Sequence, residues 1–109
     1  MSSIKDPDSL LIEDISEETV IKKPKRYFVI LINDDYTPME FVVYVLQRVF
    51  YKNQEQARAI MLEAHNKGKA VCGIYSQDVA KTKVSQVQTL AEEGQHPLRC
   101  EIEAAEEES

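Results

Sequence analysis

The stretch Val29 to Phe41, VILINDDYTPMEF, decides the fold. Its first four residues belong to the β-branched and aromatic run RYFVILI at 26–32, which is short, is preceded by Pro24 and ends at three polar groups, Asn33, Asp34 and Asp35. That is the pattern of a buried strand. The end of the stretch reads as a helix start. Thr37 stands at the N-cap, Pro38 at the first helical position, where its missing N–H does no harm, and Glu40 three residues after Thr37, forming a capping box. Strand and helix are therefore joined by a short acidic turn. Its carboxylates sit near the positive end of the helix, and they need backbone donors, a cation or a metal.

Working outward, the first helix is expected to run to about Phe50 with Phe41, Val42, Val45, Leu46 and Val49 inward. A second starts after Asn53, with Gln56 completing another cap, carries Ala57, Ile60, Met61 and Ala64 on one face and ends at Gly68. KAVCGIY (69–75) is a strand. Ser76 caps a third helix with Ala80, Val84, Val87 and Ala91 on its inner stripe, and Gly94 stops it. In PLRCEIE (97–103), Leu98, Cys100 and Ile102 alternate with Arg99, Glu101 and Glu103, the mark of a half-exposed last strand. The expected fold is α+β, in the order βααβαβ: a three-stranded antiparallel sheet packed on three helices.

Composition limits what such a domain can do. At 109 residues, 43% apolar and without Trp, the chain has room for one small domain with a modest core, too little for a large multi-step enzyme. No apolar run approaches the ~20 residues that span a bilayer, and the N-terminus has no basic-then-apolar signal pattern, so a soluble, cytoplasmic protein is expected. Cys72 and Cys100 form no CxxC spacing and lie in short apolar runs, as buried reduced thiols do. Charge is uneven: residues 1–21 hold six acids against Lys5, and 101–109 hold five Glu and no base. Such ends bury too little apolar surface to offset the entropy of ordering, so residues 1–23 are expected to be a mobile acidic extension and 104–109 an acidic tail. The centre is mildly basic but lacks a clustered basic and aromatic stripe, which argues against nucleic acid.

The acidic run has an alternative reading. A carboxylate pair after a strand can hold Mg²⁺ in receiver-type switches, beside a phosphorylatable Asp on a later strand. Here the next Asp after Asp35 is Asp78, at a helix start, and the strands are too few for a doubly wound sheet. A metal-dependent hydrolase would need a set such as HExxH, and the chain has only His65 and His96. A small acidic-site metal-binding or receiver-like regulatory domain remains the second reading.

Four segments, NDDYTPMEFVVYVLQRVF (33–50), ARAIMLEAHNKGKAVCGIY (57–75), VAKTKV (79–84) and HPLRCEIE (96–103), closely resemble ClpS in order and spacing. ClpS is the bacterial adaptor that brings N-degron substrates to the ClpA unfoldase of the ClpAP protease. The resemblance covers about residues 24–103 and implies a monomeric adaptor without catalysis, cofactor or metal, with a mobile N-terminal extension and one pocket for a peptide end. Matched by motif, the polar rim of that pocket is Asn33, Asp34, Asp35, Thr37 and His65. The apolar wall is Met39, Val42, Met61, Ala64 and Leu98. The chemistry suits this division, because a free α-amino group is a cation with three donors and calls for clustered acceptors: an amide oxygen, carboxylates and a neutral imidazole nitrogen. The first side chain, Leu, Phe, Tyr or Trp, then enters the wall, and Met39 rejects β-branched residues. Ala64 stands where the family usually has a larger aliphatic side chain, which implies a roomier pocket. Asp78 and Lys83 occupy positions that, in the family, touch the N-terminal domain of the ClpA-type AAA+ unfoldase.

Overall fold

The computed structural model describes residues 24–105. The expected order is observed: β1 (Tyr27–Ile32), α1 (Met39–Phe50), α2 (Gln54–Lys67), β2 (Lys69–Tyr75), α3 (Gln77–Gly94) and β3 (Arg99–Ala104). The sheet is antiparallel with β1 in the centre, in the order β2-β1-β3. A receiver-like doubly wound sheet is thereby ruled out. The most apolar run takes the central position because only there are both strand edges hydrogen-bonded. Val29 and Leu31 are buried from β1, Ala70 and Cys72 from β2, and Cys100 from β3. They meet Val45, Leu46, Val49, Ala57, Met61, Ala64, Ala80, Val87 and Ala91 from the helices. Phe41, Ile60 and Val84, expected inward, sit half-buried at the margins of their stripes. Both cysteines are buried free thiols. A hydrogen bond to Cys72, together with burial, pushes the Cys100 thiol far above its ordinary pKa, so it packs as a neutral core residue.

Helix ends follow the sequence at some places and depart from it at others. Asn53 accepts from the Gln56 N–H (2.7 Å) while the Gln56 side chain accepts from the Asn53 N–H (3.0 Å), the reciprocal box expected for α2. Ser76 accepts from the Val79 N–H at the start of α3. Gly68, with φ +93°, closes α2 in the left-handed conformation that glycine adopts without penalty. The capping box expected at Thr37 does not form: α1 begins at Met39, its N-cap is Pro38, and no side chain caps it. The Thr37 hydroxyl instead donates to the Asp34 carboxylate.

The stop expected at Gly94 also moves by one residue. Gly94 is the last residue of α3, and the left-handed position (φ 59°) belongs to Gln95. The Gln95 N–H donates to the Glu92 carbonyl and the His96 N–H to the Ala91 carbonyl (2.8 Å), the paired bonds of a Schellman end. At the C-terminus, β3 continues through Ala104, and the Ala105 N–H donates to the Arg26 carbonyl (2.8 Å). The expected tail therefore begins later than residue 104. The acidic extension, residues 1–23, lies outside the described residues, as do 106–109.

Candidate functional site

The acidic turn folds around a single carboxylate. Asp34 Oδ1 accepts from the backbone N–H groups of Tyr36 (2.8 Å) and Thr37 (2.7 Å), and Oδ2 accepts from the Thr37 hydroxyl (2.9 Å). Burial alone would raise the Asp34 pKa. The two N–H donors, the Thr37 hydroxyl and the charge of nearby His96 outweigh it and hold the carboxyl below its ordinary value. Asp34 thus spends most of its acceptor capacity on its own loop, whereas Asp35 is exposed.

The turn is also tied to the far side of the site. The Asn33 N–H donates to the Gly68 carbonyl (3.0 Å), and the Gly68 N–H donates to the Ala64 carbonyl (2.8 Å). Because Gly68 ends the helix that carries Ala64 and His65, the end of β1 and the last turn of α2 are held side by side. Leu98 reaches the same place just before β3, two residues after His96.

One cavity results, enclosing about 140 Å³, and all ten residues assigned to rim and wall line it: Asn33, Asp34, Asp35, Thr37, His65, Met39, Val42, Met61, Ala64 and Leu98. Leu31 and Ile32 complete the lining and belong to neither the rim nor the wall motif. Leu31, facing inward at the end of β1, could have been found from strand alternation alone. The wall is graded in exposure: Met39 is 47% exposed, Val42, Met61 and Leu98 are buried, and Ala64 is 1% exposed. The volume is close to the ~150 Å³ that holds a benzene ring in an engineered apolar cavity. Among the described residues no cluster of three or more His, Cys, Asp or Glu side chains is placed to hold a metal. Nor is any helix long and apolar enough to cross a membrane.

Asp78 and Lys83 lie elsewhere, on α3, and their environments differ. Asp78 is exposed in the first turn. Lys83 is half-buried: its ammonium donates to the Val49 carbonyl in the last turn of α1 (2.7 Å) and sits 4.5 Å from the Tyr51 ring centroid and 5.7 Å from that of Tyr75.

With this geometry the relationships of the chain can be stated. The family model for the ATP-dependent Clp protease adaptor protein ClpS matches residues 22–101. The chain belongs to the ClpS family. It is similar to the ClpS adapter protein of Leptospira biflexa serovar Patoc, 55% identical over 98 residues that cover 90% of this chain and 87% of the relative. The ClpS adapter of Hyphomonas neptunium is 54% identical over 92 residues, 83% of this chain and 78% of that one. Among solved structures, Agrobacterium tumefaciens ClpS2 bound to L-phenylalaninamide superposes with a TM-score of 0.74 at 41% identity, covering 76% of this chain and 100% of its own. As a ClpS-family member the chain is an adaptor of a Clp protease and acts in protein degradation, and its relatives are named as adaptors rather than enzymes.

Proposed function

We propose that the cavity receives the N-terminal residue of another protein when that residue is Leu, Phe, Tyr or Trp, and that the chain then presents the bound protein to a ClpA-type unfoldase. The observation that carries this reading is the joining, in one cavity, of a rim of acceptors to a graded apolar wall. The α-ammonium group of a chain end brings three donors and a charge; Asn33, Asp35 and His65 offer acceptors around it, and Asp34 adds a carboxylate already held in its ionised form. The side chain below it exchanges water for apolar wall, a transfer that contributes roughly 1.5–3 kcal/mol for a large aliphatic or aromatic group. L-Phenylalaninamide, the compound bound in the Agrobacterium relative, unites a free α-amino group, a benzyl side chain and an amide, which are the three features this rim and wall would engage.

Peptides starting with Phe, Leu or Val, and an acetylated Phe peptide, titrated by fluorescence anisotropy with and without EDTA, test the reading. Phe and Leu peptides should bind, Val much less, and EDTA should change nothing. Acetylation removes the cation and should weaken binding by roughly 2–5 kcal/mol, the loss seen when one partner of a buried charge pair is removed. An acetylated peptide that binds as tightly as the free one would refute recognition of a chain end. Binding that disappears with EDTA would favour an acidic metal site.

A further inference from the structure

Beside the cavity, three side-chain positions interlock without lining it. The His96 ring lies against Phe41, with centroids 4.4 Å apart and planes at 51°. It can do so because residue 94 is glycine: a Cβ there would stand 2.9 Å from His96 Cδ2, 3.3 Å from Nε2 and 3.4 Å from Phe41 Cε1. Gly94 has no positive φ, so its use here is space and not backbone freedom. The Schellman bonds at Gln95 and His96 fold the chain back at the end of α3 and place the ring over Gly94.

We propose that Gly94, His96 and Phe41 form a clasp that positions the two sides of the chain-end pocket relative to each other. His96 is two residues from Leu98 on one side. Phe41 adjoins Val42 on the other, and its N–H donates to the Pro38 carbonyl at the end of the acidic turn (3.0 Å). The ring contact therefore adds a link between the segment carrying Leu98 and the segment carrying Met39, Val42 and the rim loop. His96 also acts electrostatically on Asp34, the carboxylate around which that loop is folded. His96 is a positioning residue, and its role rests on the reading of the pocket given above.

A double-mutant cycle tests the clasp. Gly94→Ala, His96→Ala, the double variant and His96→Phe are compared with the wild type for binding of Phe- and Leu-starting peptides and for thermal melting. Because alanine is the better helix former, Gly94→Ala should melt no lower than the wild type, yet it should bind both peptides about threefold or more weakly, the fold-change at the lower end of coupling between touching residues. Its loss acts through the ring, so the double variant should bind no worse than His96→Ala. His96→Phe, which retains a flat ring against Phe41, should recover most of the affinity and the wild-type Phe-to-Leu preference. Equal binding by wild type and Gly94→Ala, or losses that simply add in the double variant, would overturn the clasp while leaving the pocket intact. A wild type that binds neither peptide would instead remove the pocket reading and the clasp with it.

Discussion

Asp34, which lines the cavity of the proposed ammonium site, should answer to acid only well below neutral pH. The folded-state pKa of Asp34 is depressed, so the loop stability it contributes is present above the unfolded carboxylate pKa, about 3.9, and is lost only as pH falls through the lower folded value. On the alkaline side, affinity should fall as the peptide amine loses its proton near pH ~8. His65→Gln keeps an acceptor oxygen but moves it, so a Phe-starting peptide should bind less tightly at neutral pH. Unchanged affinity in the variant would remove His65 from the rim. Ala64, buried in the lining of the cavity, should limit the room for a bound side chain. Ala64→Val adds two methyl groups there and should shift preference from Trp and Tyr toward Leu by roughly 1–3 kcal/mol, read from the ratio of peptide affinities. An unchanged ratio would place residue 64 outside the path of the bound side chain.

At the scale of the elements, α1 and α3 are joined by Lys83, which neutralises the carbonyl end of one helix from the middle of the other and lies over two tyrosine rings. A residue proposed for unfoldase docking thus also holds the fold together, and the two roles separate experimentally. Lys83→Met retains the aliphatic stem and loses the charge; it should lower stability by about 1–2 kcal/mol, the sum expected of a helix-end cation and a partly desolvated cation–π contact. Asp78→Asn, at an exposed site, should stay within ~0.5 kcal/mol of the wild type in thermal or urea melts. If both variants weaken association with the unfoldase N-terminal domain to a similar degree while only Lys83→Met melts early, the α3 face is a docking surface. If neither affects association, that role of the face fails, and Lys83 is left as a structural residue.

For the molecule as a whole, we extend the proposal to a division of labour, with peptide binding in residues 24–105 and delivery in the acidic segment before them. Deleting residues 1–20 should leave peptide affinity within about twofold while degradation of a Phe-starting substrate by the unfoldase–protease pair collapses. Equal degradation by the truncated chain would assign delivery to the core. Much of this architecture was legible locally. RYFVILI could bury as a strand, Asn53 with Gln56 could cap α2, and Gly68 could end it, because period, propensity and capping are settled within one or two turns of chain. The clustering of acceptors at 33–35 was equally plain, and the family resemblance supplied the partners across the pocket. What only the tertiary structure decided is how distant segments share space. The Asn33 N–H finds its acceptor in the Gly68 carbonyl, which sets the acidic turn beside the end of α2. Gly94 leaves room for the His96 ring to pack on Phe41, far back in the chain, and Lys83 finds its acceptor 34 residues away. Local sequence rules weigh neighbours along the chain; these choices depend on atoms brought near only when the sheet and helices close, and there the nearest partner wins over the nearest residue.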